Sequence, residues 1–201
     1  MDALLVIDID GGDHWDSSVA QLDPEKKEVA CAIQKTINEW RAANALVIYI
    51  VYVRGFACSP SAQITWNRKQ PGCIACDLSE DARLTPFLKH RHGSQYEPVF
   101  VKYTNDAFTN PELIEYLRAC GVTRVFLAGC NTFFCVLDTA KGAVRNGFRV
   151  TLLEECSYPA LGNDQYRQDW VVDVRRIATP DCIDSAVSIL SFGPARLAEV
   201  A

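Results

Sequence analysis

A carboxylate, an ammonium group and a thiol occupy corresponding places in this sequence, each at or just beyond the end of an apolar run. Ala3-Leu-Leu-Val-Ile leads into Asp8. Val99-Phe-Val leads into Lys102. Val125-Phe-Leu-Ala, followed by a Gly-containing break, leads into the segment that holds Cys135. Together they supply a proton acceptor, a cation that favours thiolate, and a nucleophile. Beyond the break, Cys135, Thr139 and Ala143 have helical spacing, and that segment ends near Gly147. The spacing predicts a thiol at the amino end of a helix just past a strand, where backbone N–H groups and the helix dipole favour thiolate. Each residue alone has a plainer reading: a core cysteine, a turn-forming aspartate, a solvated edge lysine. Their joint placement carries the catalytic reading.

The elements that must position them are legible from periodicity. Ala3 to Ile7 is a short buried strand. Asp23 and Pro24 open a helix running to about Ala43, with Val29, Ile33, Ile37 and Trp40 on one face. Ala45 to Val53 and Val99 to Lys102 read as strands. Asn110-Pro111 starts a helix to about Ala119, closed by Gly121. A strand at 124–128, a helix at 133–146 and a strand from Arg149 to Leu153 follow. Val171 to Ile177 is expected as a last strand, and Thr179-Pro180-Asp181 as the start of a helix to about Leu190. Wholly apolar strands alternating with helices indicate one domain over residues 1–201. The expected fold is α/β: three α/β/α layers around a central, mostly parallel, doubly wound sheet of about six strands. Ligands bind such sheets beyond the carboxyl ends of the strands, which is the rim shared by Asp8, Lys102 and Cys135. Residues 54–97, with only a weak helical patch near Glu80 to Leu88, exceed an ordinary connection, and Phe56, Cys58, Trp66 and His90 suit a pocket wall or lid.

Composition sets limits. The chain has 201 residues, 49% hydrophobic and 22% charged, with a formal net charge of −5; it is long enough for a large core without staples. No Lys/Arg run suggests a nucleic-acid track. No apolar stretch approaches the ~20 residues that span a bilayer, and the start, with Asp2, reads as a first strand rather than a signal peptide. Nine cysteines, odd in number and scattered through predicted helices and strands, argue for reduced thiols and a cytoplasmic location.

These segments resemble the isochorismatase-like cysteine hydrolase superfamily, which includes nicotinamidases, N-carbamoylsarcosine amidohydrolases and related amidases. Ala3-Leu-Leu-Val-Ile-Asp8 resembles its first strand with the catalytic aspartate. Val99-Phe-Val-Lys102-Tyr-Thr-Asn-Asp-Ala107-Phe108 resembles its lysine segment. Gly129-Cys-Asn-Thr132-Phe-Phe-Cys135-Val resembles its nucleophile segment, and Gly147-Phe-Arg-Val150 the strand that follows. The likeness runs in order over about residues 3 to 190.

The resemblance implies hydrolysis of a C–N bond in a small amide, ureido or carbamoyl compound. Asp8 is the implied general base, Lys102 the cation that lowers the thiol pKa and keeps Asp8 ionised, and Cys135 the nucleophile that forms a thioester. It further implies a cis peptide between Cys130 and Asn131, with the Asn131 and Cys135 N–H groups as oxyanion hole. It implies no cofactor, a small molecule as partner, and a homodimer or homotetramer, for which Tyr158 to Trp170 is a plausible interface. Several positions depart from the family pattern. Asp10-Gly11-Gly12-Asp13 replaces Gln-Asn-Asp-Phe, which removes the usual stacking aromatic; Trp15, Trp66, Phe108 and Phe134 are the candidate substitutes, core packing being their other reading. Asp106 stands where the family often has serine. Val51-Tyr-Val-Arg54-Gly55 lacks the Asp-x-His metal pair of nicotinamidases, and the presence of Cys135 favours amide cleavage over isochorismatase-type vinyl-ether cleavage. A catalytically silent binding protein is the non-enzymatic alternative.

Cys73-x-x-Cys76 with His90 and His92 invites a zinc reading, but the His-x-His spacing is too tight for a finger, and a loop with incidental thiols is preferred, so no metal is assigned. Arg54, Arg68 and Arg91 are candidates for holding a substrate carboxylate, with a solvated surface role the preferred reading of each.

Overall fold

Parallel pairing is what the apolar runs produce, with a register shift between Leu127 and Gly129 where Arg124–Cys130 meets Arg149–Tyr158. In the computed structural model, which describes residues 1–9, 24–52, 97–177 and 187–190, six strands form one sheet: β1 (Asp2–Ile7), β2 (Leu46–Tyr52), β3 (Val99–Lys102), β4 (Arg124–Cys130), β5 (Arg149–Tyr158) and β6 (Val187–Leu190). Their spatial order is β3-β2-β1-β4-β5-β6, and every neighbouring pair is parallel. The chain first builds outward from β1 through β2 to β3, then returns to the other side of β1 with β4. The direction of winding therefore reverses between β1 and β4, and the crevice of a doubly wound sheet opens at the carboxyl ends of those two strands.

Side chains alternate between two apolar layers. Ala3, Leu5 and Ile7 face a cluster built with helices α2 (Pro111–Ala119), α3 (Leu137–Arg145) and α4 (Asp164–Arg175). Leu4 and Val6 face α1 (Pro24–Ala42), whose Val29, Ile33, Ile37 and Trp40 form the helical stripe expected from sequence. Ile33 and Ile37 are fully buried, each contributing roughly 1.5–3 kcal/mol of transfer free energy. Trp40 meets Phe126 of β4 edge-on at 5.2 Å between ring centroids. At the far end of α1, Arg41 forks onto both oxygens of Glu97 at 2.7 Å, and the Tyr49 hydroxyl also donates to Glu97. This buried clamp ties α1 and β2 to the segment that enters β3, and so fixes where Lys102 emerges.

Two elements differ from the sequence-based reading. Val171 to Ile177 is not a strand. Asn163 caps α4 by accepting from the Tyr166 N–H at 3.1 Å, and Trp170 and Val174, four residues apart, are its buried stripe. Tertiary burial of that i, i+4 pair outweighs the strand preference of the valines. Val187–Leu190 is a strand rather than the end of a helix. It pairs with β5 from Val150↔Val187 to Leu153↔Leu190, and Thr151 and Ser188 hydroxyls bond across the pair at 2.8 Å. In addition, β5 continues five residues past Leu153, to Tyr158. The Asp23 cap, the 10–13 segment and nearly all of the long 54–97 connection lie outside the described residues. No helix among the described residues is long and apolar enough to cross a membrane.

Candidate active site

Asp8 follows β1 directly, and its amide still donates to Ile50 O of β2 at 2.9 Å. Its φ is +53°, a left-handed conformation that Asp tolerates better than most residues but which still costs of order 1 kcal/mol. Lys102 ends β3, two strands away. Its side chain is fully buried, and Nζ lies 2.8 Å from Asp8 Oδ2. The ammonium also donates to Thr104 O at 3.2 Å and sits 4.6 Å from the centroid of the Tyr52 ring, a favourable cation–π position. Asp8 Oδ1 is different: it is buried and has no hydrogen-bond partner.

The Cys135 segment owes its position to two residues of its Gly-x-x-Thr-x-x-Cys pattern. Gly129 pairs with Ile7 across β1 and β4 at φ +124°; a Cβ there would fall 2.0 Å from Ile7 O. Only glycine lets the two strands close up where the crevice begins. The Cys130–Asn131 peptide bond is cis. Thr132 is fully buried. Its hydroxyl donates to Pro159 O at 2.7 Å and bonds the Ser157 hydroxyl, while the Trp170 indole N–H donates to Thr132 O at 3.3 Å. β5 and α4 therefore hold the chain just before Cys135.

Cys135 lies in one turn of π-helix, Thr132–Val136, that leads into α3. Asn131 O receives the Phe134 and Val136 amides at 3.0 and 3.1 Å. The wider turn departs from the expected uniform helix at 133–146, and π turns of this kind recur at functional sites. The thiol approaches both Asp8 and Lys102. Burial, followed by the negative charge of Asp8, pushes the Cys135 thiol up to about 11, against a smaller downward pull from Lys102. Lys102 does pull the thiol down, as expected, but desolvation and the neighbouring carboxylate outweigh it, so the net shift is upward. Burial likewise pushes Asp8 up, opposed by the Lys102 charge. Burial opposes the Lys102 charge, but Asp8 and Cys135 together more than offset this and hold the ammonium above its ordinary range. Burial thus favours the neutral thiol and raises the Asp8 carboxyl, while the ammonium of Lys102 is kept charged.

The sequence-based candidates separate clearly. Asp8, Lys102 and Cys135 come together from β1, β3 and the π turn, with Asn131 and the Cys135 amide on the same turn. Phe134 is 61% exposed beside Cys135. Phe108 does not line this rim: it is buried against Phe148 at 5.5 Å between centroids, beneath α3. Trp15, Trp66, Arg54, Arg68 and Arg91 lie outside the described residues, as do Cys73, Cys76, His90 and His92. Among the described residues no group of three or more His, Cys, Asp or Glu side chains is placed to hold a metal ion.

Residues that sequence reasoning left out complete the site. Cys135 Sγ donates to Asn105 Oδ1 at 3.6 Å, and Asn105 Nδ2 donates to Asp138 Oδ2 at 3.3 Å. Thr139 Oγ1 donates to Asn105 O at 3.2 Å and accepts the Ala107 amide at 3.1 Å. The lysine segment and α3 are thereby stitched together. The available signal was the spacing of Cys135, Asp138 and Thr139, which places all three on one helix face.

A family model described as the isochorismatase domain matches residues 2–176. The chain belongs to the isochorismatase domain family. One curated relative is maleamate amidohydrolase of Pseudomonas putida, 35% identical over 91 residues, a stretch covering 45% of this chain and 42% of that protein; the match therefore spans less than half of the relative. Among solved structures, N-carbamoylsarcosine amidase from Thermoplasma acidophilum superposes with a TM-score of 0.68 at 17% identity, covering 97% of this chain and 98% of that one. A nicotinamidase from Bacillus subtilis gives 0.61 at 21% identity, covering 93% and 98%. At such identities the likeness is one of fold: a three-layer isochorismatase-type α/β domain around an all-parallel sheet.

Proposed function

We propose that this isochorismatase-family chain is a cysteine hydrolase that cleaves the C–N bond of a small amide, ureido or carbamoyl compound through a thioester on Cys135. The observation that carries the reading is the divided carboxylate of Asp8. One oxygen is neutralised by Lys102 at 2.8 Å; the other is buried, with no partner besides the nearby thiol. An unsatisfied buried carboxylate oxygen is costly, and a thiol proton to be accepted gives it a purpose. The maleamate amidohydrolase name of the partial relative supports the same bond type.

The cycle balances on these groups. Asp8 takes the Cys135 proton as sulfur attacks the carbonyl carbon. The oxyanion is met by the Asn131 and Cys135 N–H groups, leading amides of the turn whose places in a helix lack intrahelical acceptors. Protonated Asp8 delivers its proton to the departing nitrogen as the C–N bond breaks, leaving amine or ammonia and a thioester. Asp8 then takes a proton from water, the hydroxide adds to the thioester, the C–S bond breaks, and the proton returns to sulfur. Lys102 stays protonated throughout and keeps Asp8 available as a base.

The test is ammonia release from a panel of small primary amides, including maleamate, together with ureas and carbamoyl compounds, with intact-mass detection of the acyl-enzyme. Turnover with an acyl adduct on the peptide containing Cys135 is expected. Turnover that survives in Cys135→Ala, or an adduct on a different cysteine, overturns the mechanism.

A further inference from the structure

Cys135 has two acceptors within reach, the Asp8 carboxylate and the Asn105 amide oxygen, and only the first is a base. Asn105 Oδ1 receives Sγ at 3.6 Å, in a hydrogen-bond geometry that Asp8 Oδ1, though close to the same thiol, does not meet. The orientation of the Asn105 amide follows from chemistry. Asp138 offers only acceptor oxygens when ionised, so the amide nitrogen must face Asp138 at 3.3 Å, and the carbonyl oxygen must face sulfur. The backbone of Asn105 is fixed independently by Thr139, and its side chain is exposed at the rim, where an arriving substrate can reach it.

We infer that Asn105, oriented by Asp138, is a positioning residue that keeps the proton on resting Cys135 and releases it toward Asp8 only when substrate occupies the rim. A hydrogen bond donated by the neutral thiol favours the neutral form. Free enzyme is thus protected from adventitious alkylation and oxidation, which act on thiolate. The charged groups around the sulfur among the described residues are Asp8 after β1, Lys102 on β3, and Asp138 of α3, itself 3.6 Å from Lys141. None of the three positions is altered when Asn105 is changed, so an Asn105 variant isolates the amide. The inference rests on Cys135 being the nucleophile, but its test needs no substrate.

The experiment is iodoacetamide alkylation of the free enzyme between pH 6 and 11, read by mass spectrometry at the peptide containing Cys135. Asn105→Ala removes the acceptor and should lower the alkylation midpoint, with about three- to tenfold faster alkylation at pH 8, the size of one lost hydrogen bond. Asn105→Asp places a second carboxylate against sulfur and should slow alkylation by a similar factor. Asp138→Ala frees the Asn105 amide to turn its N–H toward sulfur and should speed alkylation. Opposite signs for the Ala and Asp variants support the role; shifts in the same direction, or no shift in Asn105→Ala, overturn it. Should the Asn105 variants behave as stated while no amide is turned over, the proposed reaction fails and the Asn105 assignment stands.

Discussion

Lys102 Nζ stands 2.8 Å from Asp8 Oδ2, and the two side chains are 0% and 11% exposed. An ion pair this deep is held by its geometry, because each charge has surrendered most of its hydration. Removing one partner leaves the other buried without compensation. Lys102→Met should therefore cost about 3–5 kcal/mol near pH 7 and reduce kcat/KM at least a hundredfold, the usual scale for acid–base machinery. The stability penalty has a pH signature. Without Lys102, the Asp8 carboxyl in the folded state lies still further above its unfolded value. Stability is then fully present below the unfolded pKa and is lost as pH rises through the folded one. Denaturant unfolding at pH 5 and pH 8 checks this: the variant should be closer to the parent at pH 5.

The activity of the parent should also report on Asp8. Its carboxyl is raised by burial, with Lys102 opposing, and it must be ionised to accept the thiol proton. The acidic limb of kcat/KM is expected above the ordinary aspartate range near 3.9, with activity falling as pH falls through it. The alkaline side should stay flat well past pH 9, since burial and Asp8 push the thiol up to about 11 and Lys102 is held above its ordinary range. A profile whose acidic limb lies below pH 4, or which needs alkali to reach its plateau because the enzyme must start as thiolate, contradicts this distribution of protons.

Thr132 does its work through three hydrogen bonds. The hydroxyl serves Pro159 O and Ser157, and its carbonyl receives Trp170. Thr132→Val keeps shape but strands buried polar groups, costing about 1–3 kcal/mol. Because those bonds hold the turn carrying Asn131 and the Cys135 amide, kcat should fall more than KM rises. Thr132→Ser, which restores the hydroxyl, should recover most of kcat. If both variants lose only stability, with kcat preserved in the folded fraction, the anchor is structural alone.

The strands and the three chemical groups were legible because they obey local rules. A wholly apolar run predicts a buried parallel strand, and Asp8, Lys102 and Cys135 announce themselves at the ends of such runs. What was not legible depended on distant partners. The valines at 171–174 look like a strand until Trp170 and Val174 are seen buried together against the core. Val187 to Leu190 declares itself only through its pairing with β5. The protonation state of Cys135 could not be read from helix position, since it is set by burial and by Asp8, 127 positions away in the numbering. Phe108, two residues past Asp106, looked like a pocket aromatic because chain proximity to the lysine says nothing about which side of the helix layer a ring enters. Asn105 was overlooked because an exposed asparagine after a strand is ordinary; its meaning comes from Asp138 and Cys135 on another element.

Asp106 carries its own pH dependence. Burial pushes its carboxyl up to about 6, despite the Phe108 amide and Arg145 opposing; Phe108 N donates at 2.8 Å and Arg145 Nη1 lies 3.4 Å away. A folded pKa above the unfolded one means that this group's contribution is greatest below about 4 and declines as pH rises to about 6. Asp106→Asn, which has no proton to lose, should therefore gain stability relative to the parent across that window, by at most about 3 kcal/mol. Unfolding curves at pH 4 and pH 7 measure it. A relative loss on going to pH 7 gives the wrong sign and contradicts the burial argument.

Gly142 explains how a carboxylate fits there at all. It sits inside α3, where alanine would ordinarily be favoured over glycine by about 1 kcal/mol. A Cβ at this position would lie 2.1 Å from Asp106 Oδ1, and that carboxylate is pinned by the Phe108 amide. Gly142→Ala should consequently destabilise the parent by about 1–3 kcal/mol, the range for overpacking. In an Asp106→Ala background the carboxyl carbon and both oxygens that a Cβ at position 142 would meet are gone, and the same substitution should become neutral or stabilising. The two positions are thus expected to couple by more than 1 kcal/mol in a double-mutant cycle. Additive effects would mean that the glycine is required for a reason other than the room it leaves for Asp106.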